Sequence, residues 1–285
     1  MERLLRLDRR VIFACVFLGV VVPLLVEFHL PIGATPPVQA VYDALERQVE
    51  AKQRPLVLVC FSYGASTEPE MQPMARALLR HLFGRNARVL AMCLWPEAPG
   101  MAQEALQTTA AEFGRVYGRD YVFLGYKPGA SSVILNMGQS FADTFPADAS
   151  GTRVDSLEVT RSIRNLGSVD LVIDLAAGDS VEYWWIPYGQ EKFGFPLVAG
   201  CTAVMAPDLY PFLQSGQLTG VVGGLAGAAE YESLVGSPGA ATAGMRAQSV
   251  THVIIVLFVL GGNAGYLLTR RRHGMRRDRE GAGER

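Results

Sequence analysis

The segment 56–94 decides the fold of this chain, and it reads LVLVCFSYGASTEPEMQPMARALLRHLFGRNARVLAMCL. It opens with a continuous apolar run, Leu56 to Phe61, which is typical of a strand buried on both faces. A helix is predicted from Thr67 to Phe83, because Thr67 and Glu70 form a capping-box pair at its start. A second apolar run follows from Arg88 to Leu94. This order of strand, helix and strand predicts a parallel sheet covered by helices.

The alternation of apolar runs and helical stretches continues beyond this unit. We therefore expect an α/β fold with a mostly parallel sheet and helices on both faces, in a three-layer arrangement such as the Rossmann-like one. The further predicted strands are 121–125, 170–175, 196–204 and 220–223, and the further predicted helices are 102–117, 155–166, 181–188 and 209–213. The stretch 131–137 fits either a strand or a helix, and 141–152 is predicted to be a loop.

Two apolar segments, 11–26 and 250–268, bracket this domain. A spanning helix needs about 17 to 25 predominantly apolar residues. Arginines precede the first segment and follow the second, and positive charge beside a span stays on the cytoplasmic side. This pattern predicts two transmembrane helices in an inner or plasma membrane, with both termini in the cytoplasm and the main domain outside it. Two alternatives stay open: a cleaved signal peptide in place of the first span, and a cytoplasmic domain with inverted topology.

These signals divide the chain into seven parts. An amphipathic helix is expected after the first span, because Thr35 and Pro36 suit a helix start and apolar residues follow at helical spacing. Glycine and other small residues before the second span predict a linker. The parts are a cytoplasmic basic tail (1–10), a transmembrane helix (11–30), a juxtamembrane helix (31–54), an extracytoplasmic α/β domain (55–236), a linker (237–249), a second transmembrane helix (250–269) and a cytoplasmic basic tail (270–285).

The distribution of charge supports this organisation. Residues 32–249 carry 15 Lys and Arg against 21 Asp and Glu, whereas the tail from Arg270 carries seven Arg against three acidic residues. The basic tail suits an anionic inner leaflet. An acidic domain lacks the basic footprint that nucleic acid requires. We expect the lipid bilayer and other membrane proteins as partners, and no nucleic acid.

Candidate binding residues follow from a rule for α/β sheets, in which ligands bind outside the carboxyl ends of the strands. Asp174, Asp179 and Glu182 form a carboxylate cluster there, suited to a shared cation or to acid–base work, unless Asp179 caps the next helix. Gly129 and Ser131 would offer backbone N–H groups to an anion if they open a helix. No nucleotide motif is present, so the cofactor is unknown and no metal is assigned. The predicted ligand-binding residues are Ser62, Ser66, Glu68, Gly129, Ser131, Asp174, Asp179 and Glu182.

Histidine chemistry is excluded by position. His81 is the only histidine of the middle domain, and it lies inside a predicted helix away from the strand ends. A Ser-His-Asp triad, a Cys-His pair and a histidine zinc site are therefore not expected. A serine or cysteine nucleophile with a lysine base remains, because Lys127 lies in a Gly/Pro loop at a strand end. The candidate catalytic residues are Lys127, Cys201 and Ser180, and the alternative for Lys127 is a solvated loop lysine.

Two short stretches carry a resemblance to a known class. Gly178-Asp-Ser-Val181 and Ala199-Gly-Cys-Thr-Ala203, with a predicted helix and strand between them, resemble membrane-bound proteases of the ClpP-like class. The Gly-Gly that precedes Ser-Val in that class is absent, and Cys201 stands where its serine nucleophile would be. The resemblance implies a fold-level analogy and, through it, a membrane-anchored hydrolase.

Cysteines and aromatic residues leave alternatives open. Cys60 and Cys93 end consecutive predicted strands, so they are either bridged in an oxidising compartment or, as we expect, buried free thiols. The aromatic side chains between Tyr183 and Tyr188 form a core cluster, a ligand-stacking wall or a membrane-interface contact.

The sequence thus predicts one function and keeps one alternative. The first is a two-pass membrane protein that presents an extracytoplasmic α/β domain, for ligand binding or as a component of an envelope or membrane complex. The alternative is a membrane-anchored hydrolase with a serine or cysteine nucleophile and a lysine base.

Overall fold

The computed structural model describes residues 8–26, 28 and 31–282, so the first seven residues of the predicted basic tail lie outside the described part. The chain forms two compact units. One unit is Pro31–Thr242, which contains the α/β domain together with the helix predicted at 31–54. The other unit combines Met1–Leu30 with Ala243–Arg285.

A six-stranded parallel sheet forms the centre of the α/β domain, which confirms the prediction of an α/β fold with a parallel sheet. Its strands are β1 (Leu56–Ser62), β2 (Arg88–Cys93), β3 (Tyr121–Tyr126), β4 (Leu171–Ala176), β5 (Leu197–Cys201) and β6 (Gly220–Gly223). Their order in the sheet is β3-β2-β1-β4-β5-β6. This is the order of the doubly wound, Rossmann-type sheet.

Helices precede, connect and follow the strands along the chain. They are α1 (Arg9–Leu25), α2 (Pro36–Ala51), α3 (Glu68–Gly84), α4 (Pro99–Glu112), α5 (Ala130–Gln139), α6 (Phe141–Thr144), α7 (Glu191–Phe193), α8 (Ala206–Gln214), α9 (Gly224–Leu234) and α10 (Ala240–Ala282). A π-helix, Val181–Gln190, lies between α6 and α7.

Both faces of the sheet are covered, as continuous apolar strands require. Every residue of β1 and of β4 is buried. On one face, Met74 of α3 packs against Gly200 of β5, and Gly227 of α9 packs against Val222 of β6. On the other face, side chains of α5, α8 and the π-helix share one apolar core with alternate residues of the strands.

The strand order reverses between β1 and β4. The chain runs outward from β1 through β2 to β3, and then returns to place β4 on the other side of β1. Ser62 and Ala176 face each other at the carboxyl ends of these two strands. In doubly wound sheets, the connections that follow the two strands at such a reversal lie on opposite faces, and ligands bind in the crevice outside the strand ends. In this sheet that position lies between the loops after β1 and β4.

Two predicted helices differ from the structure. Residues 155–166 contain no regular helix beyond the 3₁₀ turns Val154–Ser156 and Leu166–Ser168 at either end. The Thr160 hydroxyl donates hydrogen bonds to backbone carbonyls in this stretch, and such bonds compete with helix formation. The helix predicted at 181–188 is a π-helix that contains Pro187, a residue that breaks the regular α-helical hydrogen-bond ladder.

The linker predicted at 237–249 is helical from Ala240 onward. The buried carboxylate of Glu232 accepts hydrogen bonds of 2.6–3.1 Å from the N–H groups of Gly239, Ala241 and Thr242 and from the Thr242 hydroxyl. The first N–H groups of a helix lack partners within it, and negative charge is favoured beside them. Glu232 therefore fixes the start of α10.

The second unit contains the apolar segments. Within the described residues, one helix, Ala240–Leu267, is long and apolar enough to cross a membrane. Helix α1 has only 17 residues and contains Pro23. The prediction of two spanning helices is thus supported for the second segment alone. The two helices are in contact within this unit, because a Cβ atom placed on Gly19 would lie 2.4 Å from the Ile254 side chain.

Candidate functional site

A buried carboxyl group, Asp174 of β4, lies at the point where the strand order reverses. The Ser62 hydroxyl at the end of β1 donates a 2.8 Å hydrogen bond to Asp174 Oδ1, and the Ser180 hydroxyl donates a 2.5 Å bond to Oδ2. All three side chains are 0% exposed. Cys60 Sγ lies 3.4 Å from Ser62 Oγ and extends the cluster along β1. These contacts tie the loops after β1 and β4 to one group.

The environment of Asp174 favours its neutral form. Burial raises the pKa of this carboxyl to about 6, although the hydroxyls of Ser180 and Ser62 act in the opposite direction by hydrogen bonding to the charged form. The indole N–H of Trp185 lies near this carboxyl and slightly lowers its pKa. It is not in hydrogen-bonding geometry with any acceptor in the described part of the chain. A carboxyl group that loses its proton near neutral pH, beside an orphaned indole donor, is an uncommon core feature.

Ser180 and Trp185 are positioned by the segment that follows β4. The strand ends at Ala176, and Gly178 accepts a hydrogen bond from the N–H of Ser180. The π-helix then begins and turns Trp185 into the core. A π-helix is rare and is often found at functional sites, where the extra residue per turn re-aims side chains.

Side chains from the end of β2 cover the crevice. The ring of Trp95 lies against Gly178, so close that a Cβ atom on this glycine would be 2.8 Å from it. The carboxylate of Glu97 lies over Gly64 in the same manner, 2.2 Å from the position of a Cβ atom. Both glycines therefore admit a neighbouring side chain where any other residue would exclude it. Trp95 is half-buried and Glu97 is exposed, so an aromatic wall and a carboxylate face the solvent here.

The rim of the crevice is acidic. Burial raises the pKa of Glu182, and the charges of Asp179 and Asp208 raise it further. Ser66, just before α3, and Glu68, its first residue, are exposed, so Glu68 adds a further carboxylate to this rim. Lys127 is the only basic residue in the loops that follow the six strands, all of which the structure describes. Such a rim repels anionic ligands and attracts cationic ones.

The predicted catalytic residues are not brought together. The ammonium group of Lys127 donates to the backbone carbonyl of Thr144 and lies 5.2 Å from the centre of the Phe145 ring. Cys201 is fully buried on β5, and burial raises the pKa of its thiol to about 12. Strands β3 and β5 are four positions apart in the sheet, which is roughly 19 Å at 4.8 Å per strand. Ser180 follows β4, between these two strands, and its hydroxyl donates a hydrogen bond to Asp174 rather than to Lys127.

Gly129 and Ser131 lie at the start of α5, so the stretch 131–137, which fitted either a strand or a helix, is helical. Gly129 has a φ of +110° and precedes the first helical residue. This helix follows β3, the edge strand, two positions from the reversal beside β1. These residues therefore belong to a different part of the carboxyl edge from Asp174 and Ser62.

His81 lies away from the strand ends, inside α3 as the sequence indicates. It is 3% exposed, and its ring nitrogens lie 2.7 Å from the Tyr231 hydroxyl and 2.6 Å from Glu46. Burial lowers the pKa of His81, while Glu46 acts in the opposite direction. Tyr42 stacks on the imidazole with ring centres 4.7 Å apart. This cluster joins α2, α3 and α9, and no spacing within these three helices indicates it.

The cysteine pair is not bridged. Cys60, Cys93 and Cys201 are free and buried. Cys93 is aligned with Phe61 rather than with Cys60, and side chains alternate between the faces of a strand. The two thiols therefore point to opposite faces of the sheet, which confirms the expectation of buried free thiols.

Neither the arrangement of possible metal ligands nor comparison with known proteins identifies a ligand for this chain. Across residues 8–26, 28 and 31–282, no group of three or more His, Cys, Asp and Glu side chains is placed to hold a metal ion. Comparison with models of known protein families and with curated proteins gave no match.

Proposed function

We propose that this chain is a two-pass membrane protein that holds an α/β ligand-binding domain outside the cytoplasm. The two apolar helices support this proposal, because Gly19 of α1 packs on Ile254 of α10 within one compact unit. Close approach at a glycine is typical of paired membrane helices. Pairing would let the shorter α1 cross the bilayer beside its partner, with arginines on the cytoplasmic side of both.

The connections of the α/β domain support attachment to a single membrane face. The backbone N–H and the hydroxyl of Thr35 donate 2.8 Å and 2.7 Å hydrogen bonds to Glu230 of α9. The Ser233 hydroxyl donates to the carbonyl of Ile32. The entry and exit of the domain therefore lie side by side, as a domain between two paired spans requires.

The crevice between β1 and β4 is the proposed binding site. The observation that carries it is the reversal of strand order at Ser62 and Asp174, with Trp95 as a half-buried aromatic wall beside it. Asp174, Ser62 and Ser180 are buried, so we assign them to holding the two loops in place rather than to contact with the ligand. Trp95, Glu97, Asp179 and Glu182 are assigned to ligand contact.

The ligand is expected to be a small cationic or neutral molecule. The carboxylates of Glu97, Asp179 and Glu182 favour a positive group, and an aromatic wall favours a cation above its ring. Phosphate-bearing ligands are held by helix N-termini and basic side chains. The loops of the crevice carry no basic side chain, and the acidic rim repels anions. The hydrolase alternative has no comparable support, because Lys127 and Cys201 lie far apart and Cys201 is buried.

A panel of ligands tests this proposal on the full chain in detergent. Thermal unfolding is measured with arginine, spermidine, ATP and NAD. We expect the two amines to raise the midpoint and the two nucleotides to leave it unchanged. The shift should disappear in a Glu97→Gln, Glu182→Gln double variant and persist in Glu158→Gln, an exposed glutamate elsewhere. Stabilisation by a nucleotide, or an amine effect that survives the double variant, would overturn the assignment.

A further inference from the structure

A second concave site lies at the β3 edge of the sheet, apart from the crevice. It has a volume of about 300 Å³, and its walls include Gln103, Gln107, Tyr117, Tyr121, Phe123 and Ser150. Strand β3 is the edge strand, two positions from β1. This β3-edge pocket therefore shares no residue with the proposed site between β1 and β4.

The polar groups of the β3-edge pocket are held in place before any ligand arrives. The Tyr117 hydroxyl donates a 2.8 Å hydrogen bond to Asp148, a buried carboxylate that also accepts from the N–H groups of Ser150 and Thr152. The loop carrying Ser150 is thereby fixed against Tyr117. Burial raises the pKa of Tyr117 to about 12, and its bond to Asp148 adds to this shift. The phenol thus stays neutral at physiological pH and keeps an acceptor lone pair.

Two amide side chains on α4 complete the polar side. Gln103 and Gln107 are four residues apart, so they project from the same face of the helix. Both are exposed, and neither makes a hydrogen bond with any part of the chain that the structure describes. Each offers a free donor and a free acceptor to the pocket.

The opposite wall is aromatic. The rings of Tyr117 and Tyr121 meet edge to face with centres 5.2 Å apart. Tyr121 and Phe123 are 8% and 6% exposed, so only their outer surfaces meet the ligand. No charged side chain lines the pocket, and an ionic ligand would therefore lose hydration without a compensating partner.

We propose that the β3-edge pocket binds a neutral pyranose sugar. The C–H groups of such a ring carry partial positive charge and pack on the negative face of an aromatic ring. Its hydroxyls both donate and accept, which matches the amides of Gln103 and Gln107 and the hydroxyl of Tyr117. A concave site with an apolar wall and a few polar groups is the usual form of a small-molecule site, and here the Tyr117 hydroxyl is held by Asp148.

The test is saturation-transfer NMR on the full chain in phospholipid nanodiscs, which contain no sugar-based detergent. The probes are glucose, N-acetylglucosamine and the charged sugar glucuronate. We expect transfer to the ring C–H protons of the two neutral sugars and a signal at least fivefold weaker for glucuronate. Stronger binding of chitotriose than of N-acetylglucosamine identifies a glycan end as the ligand, whereas equal binding identifies a free sugar.

Variants distinguish this pocket from other sugar contacts. In a Gln103→Ala, Gln107→Ala double variant, affinity should fall about tenfold, as two lost neutral hydrogen bonds predict. Tyr117→Phe removes one further hydroxyl and should weaken binding about threefold. Gln214→Ala, an exposed glutamine on α8, should bind like the unaltered chain. No transfer to either neutral sugar, or equal transfer in the double variant, would overturn the proposal.

Discussion

The Ser62 hydroxyl donates a 2.8 Å hydrogen bond to Asp174 and so joins β1 to β4 where the strand order reverses. The two residues are 112 positions apart in sequence and both are fully buried. This contact, with that from Ser180, holds the two loops that form the crevice. The stability and pH response of the domain should therefore depend on a carboxyl group that meets no solvent.

Stability should decrease as pH rises from about 4 to about 6. Burial raises the pKa of Asp174 to about 6 in the folded state, so the folded chain keeps a proton that the unfolded chain has released. The stabilisation is present below the unfolded pKa and is lost as pH rises through the folded one, by about 3 kcal/mol. Asp174→Asn should remove this dependence. Urea unfolding at several pH values, compared between the two chains, measures it, and parallel pH profiles would count against the buried carboxyl.

Removal of either hydroxyl should destabilise the α/β domain. Ser180→Ala and Ser62→Ala each leave a buried oxygen of Asp174 without its donor, at a cost of about 1 to 3 kcal/mol at pH 7. Each should also raise the pKa of Asp174 further, because a donor to its charged form is lost. Ser66→Ala, at an exposed position, is the matched control. If all three variants unfold at the same urea concentration, the hydrogen-bonded cluster contributes no stability.

Loss of the Glu232 carboxylate should loosen the start of α10. Glu232→Ala leaves the N–H groups of Gly239, Ala241 and Thr242 without their acceptor, at a cost of about 2 kcal/mol. Hydrogen exchange, followed by mass spectrometry, should accelerate over 239–242. Exposed Glu50 serves as the control through Glu50→Ala. Unchanged exchange over 239–242 would show that other contacts fix this helix start.

The contact between α1 and α10 should be sensitive to size at Gly19. Gly19→Leu places a side chain where Ile254 already lies, and overpacking of this kind costs about 1 to 3 kcal/mol. The midpoint of thermal unfolding of the unit that contains α1 and most of α10 should fall. Ile254→Ala in the same chain should restore this midpoint, because it makes room for the leucine side chain. Gly262→Leu, with open space around it, should have little effect. A destabilisation that the second substitution does not relieve would argue against this helix pairing.

The parallel sheet could be predicted from the sequence because its strands are continuous apolar runs bounded by polar loops. The order of the strands could not, since nothing near Asp174 in sequence indicates that it pairs with Cys60. Two predicted helices also differ from the structure because of local interactions that compete with regular α-helical hydrogen bonds. Thr160 binds backbone carbonyls in place of a helix, and Pro187 lies within a π-helix. The spacing of apolar residues, from which the two helices were predicted, indicates neither the hydrogen bonds of Thr160 nor the π-helix at Pro187.

The candidate site was predictable in part. The rule for strand ends selected Ser62, Asp174 and Ser180, and the structure brings these three together. The rule did not indicate that these three side chains are buried. Because they are buried, we assign them to the support of the loops rather than to ligand contact. The position of Trp95 against Gly178 depends on two loops from different strands, and no spacing within either loop indicates it.

The location of the α/β domain is the central claim, and one labelling measurement tests it most directly. Val204 is 87% exposed, whereas Cys60, Cys93 and Cys201 are buried, so Val204→Cys in a Cys15→Ala background presents one accessible thiol. Right-side-out membrane vesicles are treated with a membrane-impermeant maleimide, and a chain with a cysteine appended after its last residue serves as the cytoplasmic control. We predict that Val204→Cys is labelled in intact vesicles and the control only after permeabilisation. Labelling of Val204→Cys only after permeabilisation would contradict an extracytoplasmic domain.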